Sequence, residues 1–364
     1  MRKGTTSILA VGIAAIASVI ALRACGDKPP PVTKTTAIRP ASSAGRRAAA
    51  SARAVGPVPT GSAVVAEARD AAADGRVIFF SPWGGSHKDQ LGRETPQEGS
   101  PTGPMSLAHD AKGNLYVLDQ VNHRIVRRGP DGSLLGTSEL SLRGAQDITV
   151  GKDGSMAVLD RLSDKAIALY DPSGAIRGQL PLEGEGIEET GHVTGVFIDG
   201  SDVYVEREHG PLVKIGDVNG TPADKRDEIP GRPSKDGLSY INAGIIDAPN
   251  GRAYVSSIDK ASGEHRFTRE LRYKSEIRSI LLLDTDRTGT IYFAVELHEE
   301  PSFGWVILQC LDPQKGVPLG SATLPINTLP DETFRDFTVL DGGGVIYAVR
   351  TSDGVSYKRY DCGG

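Results

Sequence analysis

Three polar residues stand at a similar point in repeated parts of the chain and could bind a metal ion. Asp147, Asn242 and Asp336 each lie near the start of an apolar run that leads into a turn. Two carboxylates and an amide, completed by water, are oxygen ligands that suit Ca²⁺ or Mg²⁺. Such a cation can polarise a carbonyl group or lower the pKa of bound water. The alternative is that these residues cap strand ends and face solvent.

The elements that must position these residues belong to a repeated strand–turn–strand unit. Its first copy spans residues 109–119 and is followed by the sequence Asn-His-Arg-Ile-Val at 122–126. Asp-Gly or Asn-Gly pairs supply the positive φ of a tight hairpin, and the flanking apolar alternation suits buried strands. The turn glycines are separated by 41, 46, 51, 38 and 55 residues: Gly113, Gly154, Gly200, Gly251, Gly289 and Gly344. A β-unit with this period predicts stacked propeller blades, here six.

The first unit resembles the NHL repeat, whose pattern is roughly D-x-x-G-N-(I/L)-Y-V-(A/L)-D-x-x-N-H-R-I. The resemblance implies an all-β, six-bladed β-propeller of the NHL or SMP-30-like type over residues 76–364. Unit 2 departs from the pattern with Ala157 in place of tyrosine, and units 3 to 6 lack the Asn-His-Arg triplet. In that family the residues matching Asn122 and Arg124 mostly hold the turn and the neighbouring blade together.

The two ends of this region predict how the ring closes. Strands at 336–340, 345–351 and 355–361 make only three strands of the last blade, and the apolar run 76–80 is the expected fourth. A strand from the N-terminal side that completes the last blade removes two exposed sheet edges. Unit 4 is expected to have a short or missing outer strand, because few residues separate its second strand from the next blade.

Aligning the innermost strands on the turns that follow them predicts a polar ring at the channel entrance: Ser106, Asp147, Thr194, Asn242, Ser279 and Asp336. The possible cation ligands fall in blades 2, 4 and 6 of this ring. A resemblance to six-bladed lactonases and related hydrolases would imply one divalent cation in the channel, although the usual glutamate ligand is missing.

The loops between second and third strands are varied and charged, and they should share one face. Loops carried on a rigid scaffold are common binding sites. The expected loops are 119–123, 160–165, 206–209, 257–265, 296–303 and 350–353. The candidate binding residues on this loop face are Asp119, His123, Glu206, His209, Glu296 and Arg350.

The N-terminus has the features of a bacterial export signal. Basic residues at positions 2 and 3 precede an apolar run over 8–22, which is short for a membrane span. Residues 22–25 resemble a lipobox, in which Cys25 becomes the lipidated first residue, although Arg23 departs from the usual pattern. Residues 1–25 are therefore assigned to export, with an uncleaved signal anchor or an ordinary secreted protein as alternatives. All three place the propeller outside the cytoplasm, and lipid anchoring would keep it in the bacterial cell envelope.

Residues 26–75 are rich in Ala, Pro, Ser and Arg and predict a disordered tether. Residues 1–75 carry a net charge of +6 and the remainder carries −11. A lipid-anchored basic tether could contact anionic lipid on a membrane facing the periplasm or the cell surface. The acidic propeller argues against nucleic acid as a partner.

The chain has three cysteines. If Cys25 is lipidated, Cys310 and Cys362 remain as a pair in an oxidising compartment. The sequence leaves open whether they form a disulfide or stay as buried thiols.

No zinc-protease, nucleophile-elbow, P-loop or dinucleotide-binding motif is present in the sequence. We therefore expect a tethered propeller that binds or scaffolds a protein or glycan partner through its loop face, without a cofactor and more as a binding protein than as an enzyme. The alternative is a metal-dependent lactonase-like or hydrolase-like enzyme with a calcium or magnesium ion in the channel. A third hypothesis is a purely structural wall-associated protein.

Overall fold

The computed structural model describes residues 64–65, 74–299 and 302–363. Six small β-sheets are arranged as the blades of a propeller, and the innermost strands of neighbouring blades pack around a central channel. The expected export segment, Cys25 and most of the tether lie outside the described residues. Within the described residues, no helix has the length and apolar character needed to cross a membrane.

Each blade is a meander of four strands, numbered here from the channel outward. Blade 1 contains β3 (Ser106–His109), β4 (Leu115–Asp119), β5 (Arg124–Arg128) and β6 (Leu134–Glu139). Blade 2 contains β7 (Asp147–Val150), β8 (Met156–Asp160), β9 (Ala166–Tyr170) and β10 (Ile176–Pro181). Blade 3 contains β11 (Val193–Asp199), β12 (Asp202–Arg207), β13 (Leu212–Asp217) and β14 (Glu228–Ile229).

The second half of the ring follows the same plan. Blade 4 contains β15 (Arg232–Pro233), β16 (Ser239–Asp247), β17 (Arg252–Asp259) and β18 (His265–Arg272). Blade 5 contains β19 (Glu276–Thr285), β20 (Ile291–Glu299), β21 (Ser302–Leu311) and β22 (Pro318–Leu324). Blade 6 contains β23 (Phe337–Val339), β24 (Val345–Thr351), β25 (Gly354–Tyr360) and β2 (Arg76–Pro82).

The predicted closure of the ring is confirmed, because β2 forms the outer strand of blade 6. It pairs with β25 in antiparallel fashion, and Phe79 lies opposite Tyr357. The two rings stack with their centroids 4.3 Å apart, and both side chains are buried. The two ends of the propeller thus complete one sheet and cover its edge.

The predicted strand alignment in unit 4 is wrong. The turn between the first and second strands is 234–239, where Gly237 has φ 78° and donates its N–H to the carbonyl of Ser234. Blade 1 has the same turn, in which Gly113 has φ 79° and donates to Asp110. Gly251 therefore lies between the second and third strands of blade 4, at the opposite face of the ring. The short innermost strand β15 carries little apolar pattern, which explains the error.

Two further expectations for blade 4 change with this correction. Its outer strand β18 is eight residues long, so the prediction of a short or missing outer strand is wrong. The expected loop-face segment 257–265 instead comprises the end of β17, the connection 260–264 to β18 and the first residue of β18, and that connection lies at the other face. A fifth, parallel strand β1 (Val64–Val65) pairs with Leu271 and Arg272 at the outer edge of β18. This dipeptide belongs to the segment predicted as a tether.

Apolar side chains fill the spaces between blades in five clusters, which lie between blades 1 and 2, 2 and 3, 4 and 5, 5 and 6, and 6 and 1. Ion pairs join blades 3 and 4, including Lys260 with Asp199. Cys310 on β21 and Cys362 beyond β25 form a disulfide with a Cα–Cα distance of 6.2 Å, which ties blade 5 to blade 6.

Candidate functional site

A cavity of about 640 Å³ occupies the central channel. All six blades contribute to its wall. We call the end at the turns between first and second strands the turn face and the opposite end the loop face. Exposed residues line both ends: Ala111, Lys152 and Gly200 at the turn face, and Glu208 and His209 at the loop face.

Blade 4 widens the loop-face half of this channel. Its innermost strand β15 has only two residues, whereas the facing strand β19 of blade 5 has ten. The second strand β16 continues past β15 toward the loop face, so its residues Asn242 to Ile245 line the cavity directly. The space that an innermost strand fills in the other blades is therefore open here.

The widened part has one apolar side and one polar side. Ala243 and Ile245 of β16 and Leu281 of β19 form the apolar side, and Ile245 is 41% exposed. Thr194 and His209 of blade 3 lie on the polar side, where the hydroxyl of Thr194 accepts the backbone N–H of His209 at 3.0 Å. Such a combination of apolar surface with a few polar groups is typical of ligand pockets.

Two ion pairs, each between a buried carboxylate and a partly exposed arginine, surround an aromatic ring deeper in the channel. Arg232 donates from Nε to Oε1 of Glu206 at 2.7 Å and from Nη2 to Oε2 at 2.9 Å. Arg335 donates to Oδ2 of Asp147 at 2.7 Å. Both guanidinium groups lie over the ring of Phe197, at 5.2 and 5.3 Å from its centroid. Arginine is suited to such sites because it pairs with carboxylates and stacks on rings together.

The electrostatics of this cluster keep both members of one pair charged. Burial by itself would raise the pKa of Glu206, but the charge of Arg232 and the hydrogen bonds from His209 and Arg232 outweigh it and lower the pKa to about 2. Burial would likewise lower the pKa of Arg232, and the attraction of Glu206 reverses this into a raised pKa. The pair therefore stays ionised at neutral pH.

A second polar cluster lies at the turn-face end. His109 contacts Asp341 through Nε2, 3.3 Å from Oδ1, and Thr338 through Nδ1, 2.9 Å from Oγ1. Arg287 donates to the other oxygen of Asp341 at 2.6 Å. Burial lowers the pKa of His109 and outweighs the opposing effect of the Asp341 hydrogen bond. All four side chains line the channel.

Lys235 completes this end of the channel. Its ammonium group donates to Oδ2 of Asp284 at 2.7 Å and to the carbonyl of Val339 at 2.6 Å. These bonds connect blade 4 to blades 5 and 6 across the channel. The lysine comes from the turn 234–239, which the sequence alignment did not identify as the first turn of blade 4.

The structure does not bring the three predicted cation ligands together as expected. Asn242 lies on the second strand of blade 4, and Arg232 occupies the entrance position of that blade. Asp147 accepts four hydrogen bonds within the protein, including one from Arg335. Asp336 is bound by the guanidinium of Arg350 at 2.6 Å. A cation at either carboxylate would have to displace a guanidinium group. The Ca²⁺ or Mg²⁺ site therefore stays a prediction. Among the described residues, no group of three or more His, Cys, Asp or Glu side chains is placed to hold a metal.

The predicted loop-face residues fall into two groups. Asp119 and Arg350 are buried and engaged within the protein: Asp119 accepts bonds from Gly92, Asn122 and Arg124, and Arg350 pairs with Asp336. Neither is available at the surface, because the loops fold over them.

The remaining predicted residues are placed differently. Glu206 and His209 line the channel, with the Glu206 side chain almost completely buried. His123 is exposed in a left-handed turn with φ 50°, and Glu296 is bound by Arg278 at 3.1 Å.

The sequence does not identify most of the residues that line the channel: Phe197, Arg232, Lys235, Arg335 and Asp341. It places His109 in the first repeat but does not assign it to the channel. One signal for Lys235 exists, since Lys-Asp-Gly at 235–237 repeats Lys-Asp-Gly at 152–154. Arg232 and Arg335 follow no spacing pattern in the sequence, because the carboxylates that pair with them lie on other blades.

No protein-family model and no curated protein matches the chain. The chain is similar to the solved structure of a streptogramin B lyase, with 10% identity, a TM-score of 0.41, and coverage of 73% of this chain and 95% of that chain. It is also similar to selenomethionine-substituted virginiamycin B lyase from Staphylococcus aureus, with 13% identity, a TM-score of 0.40, and coverage of 71% and 95%. A protein of unknown function from Bacteroides caccae has 15% identity, a TM-score of 0.38, and coverage of 61% and 81%.

Proposed function

We propose that this chain is a binding protein of the bacterial cell envelope, and that its channel holds a small amphipathic portion of a protein or glycan partner. The observation that carries the proposal is the widened loop-face half of the channel. The shortness of β15 leaves Ala243 and Ile245 uncovered opposite the polar groups of blade 3. The cavity of about 640 Å³ lies within the range of about 300 to 1,000 Å³ that is usual for ligand pockets.

The chemistry of the wall favours an amphipathic ligand. Ala243, Ile245 and Leu281 offer an apolar surface, and the largely exposed imidazole of His209 offers a hydrogen-bonding group on the other side, beside Thr194, whose hydroxyl donates to Glu206 at 3.0 Å. The charged groups deeper in the channel are already paired with one another, so a strongly charged ligand gains little from them. Contact with the apolar strip and hydrogen bonds at the rim would then provide both affinity and orientation.

Two observations support an envelope location. The basic start, the apolar run over 8–22 and Cys25 resemble an export signal with a lipobox. The bond between Cys310 and Cys362 is of a kind that persists in oxidising compartments and is rare in the cytosol. Lipid attachment at Cys25 would hold the propeller at a membrane, with its acidic surface in the periplasm or outside the cell.

A matched pair of tryptophan variants tests binding in the channel. Ile245 lines the cavity and is 41% exposed, whereas its neighbour Ile246 is 40% exposed and does not line it. The probe is the amphipathic dye 1-anilinonaphthalene-8-sulfonate, titrated into the full chain. We expect saturable binding that weakens about tenfold or more in Ile245→Trp and is unchanged in Ile246→Trp. Equal binding by both variants would contradict a ligand site in the channel.

A further inference from the structure

The turn-face end of the channel holds a hydroxyl, an imidazole and a carboxylate in series. Thr338 Oγ1 is 2.9 Å from His109 Nδ1, and His109 Nε2 is 3.3 Å from Asp341 Oδ1. We propose that Thr338, His109 and Asp341 form a nucleophile–base–carboxylate relay that hydrolyses a carboxylic ester bound in the channel. The inference rests on the proposed function, because the same channel must admit the ester.

The contacts fix the tautomer that such a relay needs. An ionised carboxylate only accepts hydrogen bonds, so the bond to Asp341 places the imidazole proton on Nε2 of His109. Nδ1 then has a free lone pair and accepts the hydroxyl proton of Thr338. A nucleophile bound to a base that a third group orients is the arrangement shared by hydrolytic triads.

The surroundings keep these groups in the required protonation states. Burial lowers the pKa of His109, so the ring is neutral at neutral pH and can take a proton. Burial would raise the pKa of Asp341, but His109, Arg287 and Lys235 outweigh it and lower the pKa, which keeps the carboxylate ionised. The charged groups around the imidazole are the carboxylates of Asp341 and Asp284 and the cations of Lys235 and Arg287, so their charges balance. The hydrogen bond to Asp341 stabilises the imidazolium formed during the reaction.

The lining near Thr338 indicates the class of substrate. Ile280 and Leu281 of the neighbouring blade 5 line the same cavity and are partly exposed. These side chains suit a short apolar acyl group. An ester fits better than an amide, because an alcohol leaves more readily than an amine.

The reaction balances with water as the only co-reactant. Oγ1 of Thr338 attacks the acyl carbon while its proton moves to Nδ1 of His109. The bond from carbon to the alcohol oxygen then breaks, and the leaving alkoxide takes the proton from His109. Water attacks the acyl-threonine, gives one proton to His109, and releases the acid as the threonine recovers that proton.

Labelling of the full chain tests the nucleophile directly. A fluorophosphonate probe is incubated with the purified full-length protein, and the labelled peptide is identified by mass spectrometry. We expect a covalent adduct on Thr338 that is absent in His109→Gln. A wild-type chain without label on Thr338 overturns the proposal whatever the variants do. Dye binding in the channel is measured on the same sample, so loss of the binding function is distinguished from loss of the relay.

Hydrolysis of p-nitrophenyl butyrate gives a second readout. Thr338→Val removes the hydroxyl at nearly constant shape and is expected to lower the rate about 100-fold or more. Thr338→Ser keeps a hydroxyl and should restore the activity. Thr137→Val is the matched control, because Thr137 is exposed on the outer strand of blade 1 and does not line the channel. If wild type hydrolyses the ester no faster than Thr338→Val, the relay does not exist.

Discussion

Arg232 and Glu206 form a bidentate ion pair that joins the innermost strand of blade 4 to the second strand of blade 3, with N–O distances of 2.7 and 2.9 Å. The same guanidinium donates to the carbonyl of Leu283 at 2.8 Å and so reaches blade 5 as well. Apolar packing fills the other blade interfaces, whereas this one depends on charge. The pair therefore holds the ring together next to the widened part of the channel.

Removing the charge of Glu206 should destabilise the propeller strongly. In Glu206→Gln the largely buried Arg232, whose side chain is 22% exposed, loses its counter-charge, and we expect the free energy of unfolding to fall by about 3 kcal/mol. Glu183 offers a matched control, because its pair with Lys165 at 2.6 Å has both side chains about half exposed. Glu183→Gln should cost less than about 1 kcal/mol. Denaturant unfolding measures both, and equal losses would contradict the structural role of the buried pair.

The same carboxylate predicts how stability depends on pH. The pKa of Glu206 is about 2 in the folded protein, below its ordinary value of 4.5, so the unfolded chain binds the proton more readily. Its contribution is therefore fully present above about pH 5 and is lost as the pH falls toward 2. The loss amounts to roughly 3 kcal/mol for a shift of this size. We expect the stability difference between wild type and Glu206→Gln to shrink over this range, and a constant difference would contradict it.

Loss of the disulfide between Cys310 and Cys362 should destabilise blades 5 and 6. The two residues are 52 positions apart in the sequence, and a cross-link of that span restricts the unfolded chain by about 4 kcal/mol. The double variant Cys310→Ser and Cys362→Ser is compared with wild type by denaturant unfolding without reductant. Adding reductant to the double variant is the control and should have no further effect. An unchanged midpoint in the variant would show that the bond contributes nothing to stability.

The sequence predicted six blades and their closure because those features depend on local signals. The turn at Gly113 and the apolar strands beside it recur through the chain. The apolar run 76–80 precedes the first blade, so the three-stranded last blade is the sheet that it can complete. Blade 4 was misaligned because β15 has two residues and includes Pro233, so the strand leaves no alternating pattern. The Asn-Gly pair at 250–251 therefore gives the stronger turn signal, although it lies between the second and third strands.

The chemistry of the channel could not be predicted in the same way. His109 and Thr338 are 229 positions apart, and Arg335 and Asp147 are 188 apart. Only the closed ring brings such residues together. Asp147 was recognised as a residue at the channel entrance, but its partner comes from the segment that leads into blade 6.

Truncation separates the tether from the ring. A chain without residues 26–75 should melt within about 2 °C of the full chain, because the described contacts of this segment are few: the pairing of β1, an ion pair of the exposed Asp74 with Lys358, and Gly75 against Tyr360. Removing residues 76–80 as well deletes most of β2 and uncovers Tyr357. Thermal unfolding should then show a much lower transition temperature. Two truncated chains of equal stability would contradict the role of β2 in closing the ring.

Changing Cys25 tests the proposed anchoring. If lipid on Cys25 holds the protein at a membrane, Cys25→Ala should move it from the membrane pellet to the soluble periplasmic fraction. More than one acyl chain is required, since a single chain binds membranes only weakly and reversibly. Arg23→Ala is the companion variant, because it brings residues 22–25 closer to the usual lipobox and should increase the membrane-bound fraction. A Cys25→Ala chain that stays in the pellet with its N-terminus uncleaved would favour a signal anchor instead. The propeller would then be held by the apolar run 8–22 itself, and the cysteine would have no part in membrane attachment.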